Sequence, residues 1–230
     1  LVALRQHNLK RLFAYSSIGQ VGYLILGVAV LSPLAASGVL FHLTGYVVNN
    51  LAAFCCLIVA YHQTQNEEIE AVAGLGQRAP AVALTLAAAL FSLAGLPVFV
   101  GFVSKFYLFT AAAQGGLLWL VLLAVLNSLV SLYYYLMVIK QAYLGRPMAA
   151  SPVDDAISEP VSGTDRTAPQ VAFLAAGGPV VEEAPETTWR VAPTLQWLSL
   201  ALFLAMVALG VYPGPLVQAI EAVGRELFGG

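Results

Sequence analysis

The stretch from Pro80 to Gln114, PAVALTLAAALFSLAGLPVFVGFVSKFYLFTAAAQ, limits what the rest of this chain can be. It is apolar throughout and carries one charge, Lys105; no other Lys, Arg, Asp or Glu occurs between Arg78 and Lys140. A lone ammonium in hydrocarbon costs about 2.5–3.5 kcal/mol on insertion scales. Such a residue needs a task or a partner. Just upstream stand Gly95-Leu96-Pro97, followed by Gly101. Proline removes a backbone donor and clashes with the preceding turn, and glycine loosens the helix on either side. The pattern predicts a membrane helix broken near 95–101 at Gly95, Pro97 and Gly101, with the lysine beyond the break. Broken membrane helices beside an intramembrane charge usually mark an ion pathway.

Composition agrees. Hydrophobic residues make up 60% of the chain and charged residues 10%, with a mean hydropathy of +0.82. A soluble domain carries about 25% charge, so this is an integral membrane protein. The net charge of −2 comes with no basic run, which excludes a nucleic-acid surface. Cys55 and Cys56 are neighbours in an apolar run and read as buried thiols, with no metal-ligand spacing and no metal site expected. The opening LVALRQHNLKR has no signal-peptide layout, and the chain reads as the C-terminal part of a longer polypeptide.

The expected fold is all-α, with about five transmembrane helices of which the third is discontinuous. The spans run over about 9–31, 39–61, 80–114, 117–143 and 193–211, the last followed by a short tail to 230 read as an amphipathic turn or two. Pro33 is expected to close the first span, leaving a short uncharged loop to Gly38. Ser16, Gln20 and Tyr23 fall on one face of the first span, and His42, Tyr46 and Asn49 on one face of the second. As one straight helix, 80–114 would be about 52 Å long, too long for a core of about 30 Å. A single crossing puts Arg5, Lys10, Arg11, Arg78, Lys140, Arg146, Arg166 and Arg190 on one side and only Arg225 on the other. The positive-inside rule favours that arrangement, with the basic side cytoplasmic. The hydrophilic segment 145–192 lacks a helical period and reads as a cytoplasmic linker.

The site chemistry expected is a line of protonatable and hydrogen-bonding groups at membrane depth, which takes in Gln20, Tyr23 and Ser131. Lys105 is the candidate proton site. Lys10, His42, Tyr46, Ser104, Tyr107, Tyr15, Ser16 and Asn127 are the candidate polar path. Burial disfavours the charged form of an ammonium, so a buried lysine can exchange a proton where a solvated one would not. The alternative is a lysine that caps carbonyls freed by the break, or pairs with a carboxylate from elsewhere. No cysteine motif, glycine-rich loop or histidine pair suggests a redox cofactor in this chain.

Two motifs carry a family resemblance. Asn8-Leu9-Lys10-Arg11-Leu12-Phe13-Ala14-Tyr15-Ser16-Ser17-Ile18 with Gly22-Tyr23, and Ser92-Leu93-Ala94-Gly95-Leu96-Pro97 with Gly101-Phe102-Val103-Ser104-Lys105, resemble the antiporter-like membrane subunits of respiratory complex I, a family that includes Mrp-type antiporter subunits. Lys105-Phe106-Tyr107 and Ser131 to Leu136 look most like the N-type branch. The resemblance implies part of an inverted-repeat bundle, with Lys105 in a proton half-channel and Lys10 at the cytoplasmic end of its helix. It also implies partners among the other membrane subunits of complex I, in a bacterial inner membrane. NADH, FMN, iron–sulfur clusters and quinone would then belong to partner subunits. A stand-alone Mrp-type cation/proton antiporter and a purely structural membrane subunit are the competing readings.

Overall fold

The computed structural model describes residues 2–30, 32–146, 189 and 191–228, and side chains through Ile220. Apart from its ends, the expected hydrophilic linker 145–192 lies outside the described residues. The described chain is helical, and its one β-bridge pairs Asn8 with Glu68. The principal helices are α1 (Leu9–Val28), α2 (Pro33–Thr64), the single turn α3 (Leu75–Arg78), α4 (Pro80–Ala94), α5 (Val100–Gln114), α6 (Leu118–Leu144), α7 (Pro193–Val211) and α8 (Gly214–Phe228). Among them α2, α6 and α7 are each long and apolar enough to cross a bilayer.

The segment 80–114 is two helices of 15 residues each, about 22 Å apiece and each too short to cross alone. Together they run the length of the bundle once. α4 starts directly after α3, where the Tyr143 ring at the end of α6 packs against Gly76. α5 ends at Gly115, which packs against Val30 beyond the end of α1. The start of α1, the loop before α3, the start of α4 and the end of α6 therefore share one end. That end carries Lys10, Arg11, Arg78 and Lys140.

Two boundaries differ from expectation. Pro33 opens α2 instead of closing the first span. The Ser32 hydroxyl accepts the Ala35 amide, and a proline in the first turn loses no hydrogen bond because its N–H would have been an orphan there. The tail expected as a turn or two is the 15-residue helix α8.

The break has an identifiable construction. Gly95 takes φ 91°, a left-handed geometry that glycine adopts without strain. Its N–H reaches the Ser92 carbonyl and that of Leu96 reaches Phe91, which closes the last turn of α4. Pro97 follows in the linker, and α5 begins at Val100 with Gly101 in its first turn. Val98, a β-branched residue, is also held at φ 82°, a conformation that costs about 1–3 kcal/mol. The backbone packs closely on either side of the linker. A Cβ on Gly101 would lie 1.8 Å from the Ser92 carbonyl oxygen, and one on Gly210 would lie 2.1 Å from that of Val98. α7 thus presses on the linker through a glycine.

Gly210→Ala is expected to destabilise the fold by about 1–3 kcal/mol through overpacking. The check is the midpoint of thermal unfolding in detergent, which should fall; an unchanged midpoint would mean that the linker yields to a methyl group.

Candidate functional site

A helix ends with four carbonyls that no following turn satisfies. In hydrocarbon each such group costs several kcal/mol if left bare. The four at the end of α4 belong to Phe91, Ser92, Leu93 and Ala94. The first two are taken by the amides of Gly95 and Leu96. The other two are taken by Lys105, whose Nζ lies 2.8 Å from the Leu93 oxygen and 3.0 Å from that of Ala94. Gln20 Nε2 adds a donor to the Leu93 carbonyl at 3.2 Å, and Ser128 Oγ one to the Ala94 carbonyl at 2.8 Å.

The break brings lysine and carbonyls together. Lys105 sits on α5 beyond the linker, and its side chain reaches back across it to the end of α4. The aligned peptide dipoles of α4 place about half a negative charge at that end, which favours a cation there. Lys105 Nζ donates its third hydrogen bond to Ser128 Oγ at 3.1 Å and lies 4.7 Å from the centre of the Tyr23 ring. The residue is 4% exposed. Its environment holds backbone carbonyls, a hydroxyl and an aromatic face, and the closest polar partners include no carboxylate.

Around this centre α1 turns a polar face inward. Ser16, Gln20 and Tyr23 are buried, while Ile18, Val21, Ile25 and Val28 on the other side are exposed. Ser16 Oγ pairs with the Tyr135 hydroxyl, Gln20 meets the Leu93 carbonyl, and the Tyr23 hydroxyl accepts from Asn127 Nδ2 at 3.1 Å. On the far side, His42 Nδ1 is 2.9 Å from Ser104 Oγ. That hydroxyl donates to the Gly101 carbonyl at 3.1 Å, so Nδ1 is the donor to Ser104 and Nε2 is left as an acceptor. His42 Nε2 and Asn49 Oδ1 are buried with no hydrogen-bond partner among the described residues.

The candidate residues thus fall into groups. Ser104 and His42 bond to each other, and His42 and Asn127 both meet the Tyr23 side chain that covers Lys105. Ser16 lies further along α1. Tyr46 donates to Ser17 Oγ at 2.7 Å, and Tyr107 packs edge-on against Phe41 with ring centroids 6.0 Å apart. Tyr15 is 40% exposed on the outer side of α1. Gln20 and Tyr23, both in the expected line of polar groups, and Ser128, which was not, touch the centre more closely than most of that line. For Gln20 and Tyr23 the available signal was their spacing from Ser16; Ser128, beside Asn127, had none that pointed to Lys105.

Lys10 belongs to a different structure. Its ammonium pairs with the Glu67 carboxylate at the surface, and Asn8 Nδ2 reaches the same carboxylate at 3.3 Å. Two backbone bonds, from Leu9 N–H to Glu67 and from Ile69 N–H to His7, both 2.8 Å, complete a clasp between the start of α1 and the loop before α3. The Lys10 ammonium, then Asn8, holds the Glu67 carboxyl below its usual value. A depressed carboxyl stabilises the fold above its unfolded pKa and loses that effect as pH falls through its folded pKa. Protection of the Leu9 and Ile69 amides against hydrogen exchange, corrected for intrinsic rates, should therefore weaken as the solution is acidified below the carboxylate range. Glu67→Gln should flatten that dependence; an unchanged profile would mean that the backbone bonds hold the clasp alone.

The comparisons with known proteins place this bundle in a class and then in a family. It is similar to a solved Mrp complex from Dietzia sp., with a TM-score of 0.76 and 26% identity over 98% of this chain and 44% of that one. It is also similar to respiratory complex I from Thermus thermophilus with bound aureothin, with a TM-score of 0.66 and 26% identity over 95% of this chain and 42% of that one. The class is that of antiporter-like membrane subunits. The family model described as "NADH:quinone oxidoreductase/Mrp antiporter, TM" matches residues 1–131, and the chain belongs to that family. Among curated relatives, NADH-quinone oxidoreductase subunit N of Moorella thermoacetica is 38% identical over 95% of this chain and 38% of its own length. Subunit N 2 of Syntrophobacter fumaroxidans is 36% identical over 99% of this chain and 41% of its own length. The chain therefore spans about two fifths of the length of these relatives.

Proposed function

We propose that this chain carries the Lys105-centred half-channel of a proton-translocating membrane subunit of NADH:quinone oxidoreductase. Quinone reduction in other subunits drives it from a distance. The observation that supports this most is the seat of Lys105, which suits both protonation states of the side chain. Charged, the ammonium donates to the Leu93 and Ala94 carbonyls and to Ser128 Oγ. Neutral, the amine keeps two N–H donors for the same carbonyls and presents a lone pair to Ser128. Rotating the Ser128 hydroxyl from the Ala94 carbonyl to that lone pair leaves every group satisfied. A site serving only as a cap needs no such reversible partner.

On this reading the chain lies in the bacterial inner membrane among the other membrane subunits, with the end bearing Lys10, Arg78 and Lys140 facing the cytoplasm. NADH, FMN, iron–sulfur clusters and quinone belong to partner subunits. His42 and Ser104 continue the polar path on one side of Lys105. A second reading, Lys105 as a structural cap, draws on the same carbonyl contacts. The likeness to a solved Mrp complex keeps a third, a secondary cation/proton antiporter.

Lys105→Arg separates the first two, because a guanidinium caps carbonyls but does not release its proton. In the assembled complex, with assembly checked on a native gel, Lys105→Arg and Lys105→Ala should both lose most proton pumping and the quinone-reductase rate coupled to it. Wild-type pumping by Lys105→Arg would leave the lysine a cap. A sodium-dependent transport that persists without NADH would favour the antiporter.

A further inference from the structure

Resting on that reading of Lys105, the geometry points to Tyr23 as a gate that closes Lys105 off from a groove between α1 and α6. The groove holds about 290 Å³ and is mostly apolar, with Ile25 and Leu26 on α1 and Leu120 and Leu123 on α6, and Tyr23 and Asn127 are its polar members. Among the described residues its outer side is open, and Asn127 and Gly22 are exposed there. On this proposal water enters the groove beside its two polar members, the Asn127 amide and the Tyr23 hydroxyl, because a polar group turned toward lipid tails is expensive at membrane depth.

Tyr23 stands between this groove and the lysine. It is 2% exposed, its ring covers Lys105 Nζ at 4.7 Å, and its hydroxyl points to the α6 side. Little fastens it there. Asn127 Nδ2 donates to its hydroxyl at 3.1 Å, the hydroxyl has a long 3.5 Å contact to the Ala124 carbonyl, and the rings of His42 and Phe109 meet it edge-on at 6.0 and 5.9 Å. Nothing lies within 4 Å of where a Cβ on the neighbouring Gly22 would be. The groove thus has room for a swung-out tyrosine ring.

The attraction between ring and lysine depends on charge. An ammonium draws the electron-rich ring face onto itself, and a neutral amine does not. The gate is therefore held shut while Lys105 carries its proton and is freed once the proton has gone. With the ring out, water in the groove can take the place of the Ser128 hydroxyl at the Lys105 lone pair and return a proton to it. Ring closure then seals the charged state. Tyr23 acts through Lys105 and is a positioning residue.

The test uses the assembled complex in sealed proteoliposomes, reading the passive decay of an imposed proton gradient without NADH and the protons pumped per NADH. Tyr23→Leu, which removes the ring, should speed the passive decay several-fold and lower the pumping ratio. Adding Lys105→Ala to Tyr23→Leu should return the decay to the wild-type rate, because the leak runs through the lysine. A leak that survives Lys105→Ala is a packing hole and overturns the gate, as does a Tyr23→Leu complex that leaks no faster than wild type. Should Tyr23→Leu fail to assemble, Asn127→Ala removes only the latch. A smaller leak, cancelled by Lys105→Ala, supports the gate, and wild-type tightness overturns it. Lys105→Ala alone tells the two ideas apart: full pumping in that variant removes the proton site itself, whereas lost pumping with a tight Tyr23→Leu complex removes only the gate.

Discussion

The structure depends on how the carbonyl end of α4 is closed inside the membrane. A helix that stops at mid-depth has neither a following turn nor water to satisfy its last carbonyls. Here a left-handed glycine closes two of them and a lysine from the next helix closes the other two. The dependence is mutual. The carbonyls need a donor as much as the ammonium needs acceptors, and the dipole of α4 supplies the negative end that no carboxylate among the closest partners provides. Gln20 from α1 and Ser128 from α6 bond to the same two carbonyls. Four helices therefore meet at one short stretch of backbone, and the break organises the bundle instead of weakening it.

Holding that arrangement takes close backbone approach and some strain. Gly101 lets the first turn of α5 sit against the Ser92 carbonyl, and Gly210 lets α7 press on the linker at Val98. Larger residues at either place would push α5 away, and Lys105 could then no longer reach back to Leu93 and Ala94. The unfavourable φ of Val98 lies where its carbonyl meets Gly210 of α7, while its side chain is 56% exposed. Through Gly210, α7 helps to fix the spacing of Lys105 and its hydrogen-bond partners.

Much of this was legible in the sequence because charge is so rare in it. A single lysine between Arg78 and Lys140, next to Gly-Leu-Pro, marked both the break and the residue beside it, and the polar face of α1 followed from three- and four-residue spacing. The partners of Lys105 were not legible for a physical reason. They are main-chain carbonyls, which every residue has, so no side-chain pattern announces them. Lys10 was placed on the path by the family resemblance; the Glu67 carboxylate that binds it lies on a loop whose fold-back against α1 no local spacing reveals. Pro33 misled because a proline reads equally as an end and as a beginning, and the Ser32 cap decides between them. Tyr23 was visible as one more polar residue, but its cover over the ammonium depends on α1, α5 and α6 converging.

The choice of acceptor also bears on how such a site would be driven. A lysine paired with a carboxylate answers to whether its partner is ionised, and the two titrate together. Backbone carbonyls do not titrate. Their partial charges stay fixed, so on the proposed reading the free energy of holding a proton on Lys105 changes only when something else in the low-dielectric interior changes. That is either a charge elsewhere along the membrane, acting over distance with little screening, or the position of the Tyr23 ring and the Ser128 hydroxyl next to it. The carbonyl seat itself therefore supplies no titrating partner that could switch the site. On the proposed reading, the proton on Lys105 answers to charge elsewhere in the membrane and to the two groups packed against it.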